Sequence, residues 1–188
     1  MKKLAVFASG NGSNAENICN YFFHSSEIKV MFICTNNKNS LVIARAKKLN
    51  IPIVHITKDE LDSFIKLKKT LEEYAIDYII LAGFLLKIPN QMVFSYSKKI
   101  INIHPSLLPK YGGKGMYGKN VYNAIIKNNE TESGITIHFV NQNYDEGEVI
   151  FQKKIFLSVE ETTKSLEKKI HSLEFEYFPE IIEKTILK

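Results

Sequence analysis

At 188 residues and 21.6 kDa, the chain is long enough to bury one well-packed core and falls within the size of a single domain. Hydrophobic residues at 45% and charged residues at 24% exclude the disordered and fibrous classes, and no apolar run reaches membrane-spanning length. A net charge of +5 admits an anionic partner, but Arg45 is the only arginine and the lysines are spread out, which argues against nucleic acid and suits a small phosphorylated substrate.

The first apolar run, Leu4 to Ala8, is short for a secretory leader and runs straight into glycines, so it reads as a strand. The turn after it, Ser9-Gly10-Asn11-Gly12-Ser13-Asn14-Ala15, opens a helix. Backbone N–H groups at such a helix start form an anion site with the help of the helix dipole, and the missing side chains let a phosphate come close. Gly10, Gly12 and Ala15 also satisfy the G-x-G-x-x-A dinucleotide pattern, which calls for an acid about 20 positions on. Thr35-Asn36-Asn37 stands there instead. A single phosphate of a smaller substrate is therefore favoured over a dinucleotide, with a purely structural turn as the alternative.

Val30 to Cys34, Ile53 to His55 and Tyr78 to Ala82 read as further strands, with three helices between the four. Thr57 and Glu60 have capping-box spacing and open a helix through Leu61, Ile65, Leu67 and Leu71 towards Tyr74. Such alternation implies right-handed crossovers and a parallel sheet. Cys19 and Cys34 lack metal-ligand spacing and read as reduced core thiols, which points to a cytoplasmic protein. Ala82-Gly83-Phe84-Leu85-Leu86-Lys87-Ile88-Pro89 follows the fourth strand, at the end where α/β sheets place ligands. Its apolar side chains suit either a slot for a flat heterocycle or plain core packing.

The next strand ends on Asn102 and His104, two residues apart and so on one face, while Ile101 and Ile103 point the other way. An amide donor and a titratable imidazole aimed at one place suit carbonyl activation; a solvated strand end is the alternative. A loop rich in Pro and Gly runs to Gly118, Lys119 to Lys127 reads as helix, and Thr136 to Val140 and Val149 to Leu157 read as strands joined by Asn141 to Glu148. Asp145 lies in that connection, and a carboxylate brought to His104 would favour the charged imidazole, although spacing does not bring them together. The last helix starts near Thr163, with Leu166, Ile170, Leu173 and Tyr177 at helical spacing and Pro179 expected to bend or end it. The expected fold class is α/β: one Rossmann-like three-layer domain over 1–188, mostly parallel in its N-terminal part, with an antiparallel hairpin in its C-terminal part.

Gly10-Asn11-Gly12-Ser13-Asn14, Leu81-Ala82-Gly83-Phe84, Asn102 to Tyr111, and Gly134 to Val140 followed by Asp145 resemble, in order and spacing, the phosphoribosylglycinamide formyltransferase family over nearly the whole chain. The resemblance implies direct formyl transfer from the co-substrate 10-formyltetrahydrofolate to the primary amine of glycinamide ribonucleotide, in purine biosynthesis and without a metal. It implies that Asn102 and His104 stabilise the oxyanion and that Asp145 supports the imidazole. It sets the substrate phosphate against Gly12, Ser13 and Asn14, Glu174 near the glycinamide end, and His171 on the same helical face. The folate would meet Leu85, Leu86, Lys87, Ile88 and Asn102. Residues of about 1–100 would form the phosphate-binding half and about 101–188 the catalytic and folate-binding half. The implied partners are small molecules alone, without nucleic acid or membrane, for a cytoplasmic monomer or weak homodimer.

This sequence departs from the family at several points. Leu86 stands where many relatives have Arg, and His171 where many have Gln. Tyr111 to Gly118 is unusually rich in glycine, as a mobile lid would be, and Leu108-Pro109 is a candidate cis bond. Three rivals remain. Other formyl-folate enzymes share the Asn-His-Asp set, but the transferase acting on aminoacyl-tRNA would be expected to add a C-terminal domain and the hydrolase an N-terminal one, with room here for neither. A nicotinamide-dependent oxidoreductase is disfavoured by Asn36 and Asn37, and a silent folate binder by the three filled catalytic positions.

Overall fold

Leu4, Ala5, Val6 and Phe7 are wholly buried, and the strand they form, β1 (Lys2–Phe7), is the centre of the first of two units. The computed structural model describes residues 1–188, divided into Met1–Asn102 and Ile103–Lys188. In the first unit, β2 (Ile28–Thr35) and β4 (Tyr78–Leu81) flank β1, both parallel to it. β3 (Ile53–His55) pairs with β2, and β5 (Ile100–His104) with β4, again in parallel. The order is thus β3-β2-β1-β4-β5, and the chain reverses its direction of winding between β1 and β4. In sheets of this kind the crevice at the carboxyl ends of those two strands is where ligands bind.

The helices between these strands are α1 (Ser13–Tyr21), α2 (Val42–Lys48), α3 (Lys58–Ser63), α4 (Ile65–Glu73) and α5 (Asn90–Ser95). The capping box expected at Thr57 is present, with the Thr57 hydroxyl accepting from the Glu60 amide and the Glu60 carboxylate from the Thr57 amide. The single helix expected to follow is broken. Phe64, at φ 58°, ends α3 and starts α4 while its ring is buried, so a core contact interrupts an otherwise regular pattern. α5 was not expected; it is a short turn of helix that buries Met92 and Val93.

The second unit holds the end of β5, then α6 (Lys119–Lys127), β6 (Glu132–Phe139), β7 (Val149–Phe156) and α7 (Thr163–Ile186). β6 and β7 are antiparallel, as expected, and β6 begins at Glu132 rather than Thr136. Glu132, Ser133 and Gly134 have weak strand propensity, but each pairs across the ladder with Phe156, Ile155 and Lys154. Only glycine fits at 134, because a Cβ there would stand 2.0 Å from the Lys153 carbonyl oxygen. Pro179 neither ends nor caps α7, which continues to Ile186. Phe178, Pro179 and Ile182 are buried, and that packing outweighs the missing backbone donor. The α/β class is as expected, with parallel strands in the N-terminal part and an antiparallel pair in the C-terminal part. No helix is long and apolar enough to cross a membrane.

Candidate active site

The turn after β1 leads straight into α1 through a glycine. Gly12 caps α1 in the left-handed region at φ 75° and, having no side chain, makes no cap bond to the helix. An alanine methyl at 12 would lie 2.3 Å from Cγ2 of Val42, so the turn needs glycine for both its conformation and its space. Arg45 braces the turn from α2. Its Nε donates to the Asn11 carbonyl at 2.9 Å, one terminal nitrogen donates to the Asn11 side chain at 2.9 Å, and the other pairs with Glu16. The lone guanidinium is therefore spent on holding the loop, and the positive end of α1 comes from its backbone.

Ser9, which sequence reasoning passed over, ties this turn to the segment after β4. Its hydroxyl donates to Asn36 Oδ1 at 2.6 Å and accepts the Leu85 amide at 2.9 Å. The Ser9 amide donates to the Gly83 carbonyl at 3.0 Å, and the Phe84 ring packs edge-on against Phe7 with centroids 5.3 Å apart. Asn36, noted from sequence only for not being an acid, is thus a structural partner. Of the residues expected to line a pterin slot, Leu85 is 51% exposed, Leu86 is half-buried and Lys87 exposed, whereas Ile88 is core.

In the second unit the structure brings His104 and Asp145 together. The His104 ring is 4% exposed, with Nδ1 facing Asp145 Oδ2 at 3.6 Å and Nε2 at 2.8 Å from the Tyr111 carbonyl oxygen. Asp145, at φ 57°, also accepts the Gly113 amide on Oδ2 at 2.9 Å. Both ring nitrogens thus face acceptors. Asn102 lies two residues before His104 on β5, half-buried. A residue not singled out from sequence completes the cluster: His138, on β6 and 1% exposed, has Nε2 3.8 Å from Asp145 Oδ1 and donates from Nδ1 to the Phe139 carbonyl at 2.9 Å. Burial pushes this imidazole down, and the Phe139 hydrogen bond and Asp145 charge oppose that only in part. Its place beside the strand pattern Ile137-His138-Phe139 was visible, but the residue it would meet was not.

The loop that carries the cluster is pinned by Thr136. Its hydroxyl donates to the Ser106 carbonyl at 2.7 Å and accepts from the Leu108 amide at 3.0 Å and from Gln152 Nε2 at 2.9 Å. Gln152 also donates to the Leu108 carbonyl at 2.9 Å, and the Leu108-Pro109 bond is cis. On α7, His171 Nδ1 and Glu174 Oε2 are 3.3 Å apart, one turn of helix bringing them onto one face as expected. Glu174 is 9% exposed, a buried carboxylate whose charge, after burial itself, helps push the Tyr122 phenol up.

Both cysteines are buried, and burial pushes the Cys19 thiol up to about 12, so neither thiol is a nucleophile at neutral pH. No group of three or more His, Cys, Asp or Glu stands where it could hold a metal ion. His104 is an imidazole backed by a carboxylate, which suits electrostatic stabilisation of a developing negative charge.

Residues 2–182 match the formyl transferase family. The chain is 36% identical over 187 residues to the chloroplastic phosphoribosylglycinamide formyltransferase of Arabidopsis thaliana, covering 96% of this chain and 64% of that protein. It is 32% identical over 191 residues to the phosphoribosylglycinamide formyltransferase of Bacillus subtilis, covering 99% of this chain and 95% of that one. Among solved structures, phosphoribosylglycinamide formyltransferase from Streptococcus pneumoniae superposes with a TM-score of 0.88 at 31% identity, covering 99% of both chains. The chain spans about three fifths of the length of the plant relatives it matches, 64% of one and 60% of the other.

Proposed function

The chain belongs to the formyl transferase family, and from that premise we propose that it transfers the formyl group of 10-formyltetrahydrofolate to the primary amine of glycinamide ribonucleotide, a step of purine biosynthesis. The observation that carries the reading is the pairing of buried His104 with Asp145 at 3.6 Å, two residues beyond Asn102 on the same strand. Relatives that carry this name in plants and bacteria favour the same acceptor.

In this reading Asn102, His104 and Asp145 are the catalytic residues. The neutral amine of the ribonucleotide attacks the formyl carbon, a new N–C bond forms, and the carbonyl electrons move onto oxygen. The Asn102 amide donates to that oxyanion, and the His104 imidazolium, balanced by Asp145, holds the developing charge. The oxyanion then reforms the carbonyl and the bond to the folate nitrogen breaks. The proton lost by the attacking amine passes to the departing nitrogen through a water.

Gly12, Ser13 and Asn14 would take the substrate phosphate at the start of α1, with His171 and Glu174 serving the rest of the ribonucleotide. Leu85, Leu86, Lys87 and Ile88, with Asn102, would hold the folate, mostly through backbone groups, which tolerates leucine at 86. We place the whole of 1–188 in one catalytic domain, acting on small molecules in the cytoplasm as a monomer or weak homodimer.

The test is an assay with glycinamide ribonucleotide and 10-formyltetrahydrofolate, following loss of the formyl group from the folate. Transfer that depends on the ribonucleotide is expected. Equal turnover without it would mean hydrolysis, and no turnover with either would sink the reading.

A further inference from the structure

Tyr111 sits in the left-handed region at φ 56°, a conformation that bulky side chains hold only when their surroundings fix it. Its hydroxyl donates to Glu130 Oε1 at 2.8 Å and accepts from Asn128 Nδ2 at 2.8 Å. Glu130 also takes Lys110 Nζ at 3.2 and 3.3 Å on its two oxygens, so one carboxylate grips two consecutive residues at the end of the proline loop. The Ser106 hydroxyl holds the same corner, donating to the Lys110 carbonyl at 2.6 Å. The backbone of Tyr111 faces the opposite task, since its carbonyl meets His104 Nε2 at 2.8 Å. A carbonyl can only accept, so the hydrogen of that bond resides on Nε2. A neutral ring then leaves Nδ1, the nitrogen facing Asp145, without a hydrogen.

We propose that Glu130 is a positioning residue for His104: by holding the Tyr111 hydroxyl it keeps the Tyr111 carbonyl on Nε2 and so fixes the hydrogen of the neutral ring on Nε2. The proposal rests on the formyl-transfer reading, in which His104 faces the oxyanion. Glu130 itself touches no reacting atom. The chemistry of the latch suits a permanent bond. The Tyr111 hydrogen bond, and after it Lys110, hold the Glu130 carboxyl below the usual carboxylate range, so it is an acceptor at neutral pH. Burial pushes the Tyr111 phenol up, so the donor keeps its hydrogen.

The experiment records nitrogen-15 shifts of the His104 ring in the full chain together with steady-state kinetics, for wild type, Tyr111→Phe, Glu130→Ala, Glu130→Gln and Lys110→Ala. The neutral wild-type ring is expected to carry its hydrogen on Nε2. Tyr111→Phe, which removes one oxygen atom, and Glu130→Ala should give a mixture of the two tautomers and lower kcat about tenfold, with KM for either substrate changed by less than about twofold. Glu130→Gln still accepts the Tyr111 hydroxyl and should restore most of the rate, while Lys110→Ala should alter neither the shifts nor kcat. A wild-type tautomer in Tyr111→Phe, or a loss in Glu130→Gln as large as in Glu130→Ala, overturns the latch. The nitrogen shifts are read without turnover. A wild-type protein that transfers no formyl group would therefore remove the proposed function and leave the latch to be decided by the tautomer alone.

Discussion

His138 Nε2 stands 3.8 Å from Asp145 Oδ1, the carboxylate oxygen that does not face His104. His138 is buried, and burial holds its imidazole below the ordinary value of 6.5. The groups facing it are Asp145, which favours its charge, and His104, which opposes it. On acidification the unfolded chain takes up this proton before the folded one does, so stability falls as pH drops below about 6.5 towards the lower folded value. His138→Gln removes that term. Urea midpoints at pH 8 and pH 5 should fall less in the variant than in the wild type, and parallel losses would exclude His138 as the cause.

His104→Ala and Asp145→Asn probe the transition state rather than the substrates. If His104 carries positive charge opposite the oxyanion, each should lower kcat by about 10²- to 10⁴-fold while leaving ribonucleotide binding within a few-fold. Calorimetric titration beside initial rates checks both halves. Near-wild-type rates in either variant would remove that residue from the mechanism.

Gly12→Ala meets two obstacles, the positive φ and the 2.3 Å approach to Val42. Together these should cost about 2–4 kcal/mol of stability, measurable by denaturant unfolding. Val42→Ala in the same chain removes the Cγ2 contact but keeps the Cβ at 2.5 Å and the Cα at 2.8 Å, so it should recover only a small part of the loss. Full recovery would mean that the left-handed conformation contributes nothing.

Thr136→Val keeps the shape of the side chain and deletes its hydroxyl, leaving the Ser106 carbonyl and the Leu108 amide without their partner. Unfolding free energy should drop by about 2–4 kcal/mol, because buried groups left unpaired lose their full solvation. A drop no larger than that of an exposed Thr→Val change would show that the loop re-pairs without it.

The strands of the first unit were legible because each is a short apolar run closed by a turn, and a parallel strand buried on both faces needs little else. The break at Phe64 was not, since the capping box before it and the leucines after it fit one helix as well as two. At Pro179 the helix does not end, one of the two expected outcomes: the local rule against proline inside a helix yielded there to the packing of Phe178 and Ile182. At the candidate site, Asn102 and His104 could be placed on one face by period alone, while Asp145 needed the family resemblance, because its left-handed backbone in a polar connection has no periodic signature. Thr136, His138, Tyr111 and Glu130 went unseen for a related reason. Their partners lie up to tens of residues away along the chain, and an ordinary Thr, His, Tyr or Glu carries no local mark of such a bond.

Ser9 joins the turn before α1 to the segment after β4 through one hydroxyl, shared between Asn36 and the Leu85 amide. In the proposed reading, a molecule settling on either segment would restrict the other through that oxygen. By thermodynamic linkage the influence is mutual: whatever factor the first ligand adds to the affinity of the second, the second returns to the first. The order in which two ligands arrive would then alter the path but not the final affinity of the ternary complex, and Ser9→Ala would loosen the coupling between them while leaving each a place to bind.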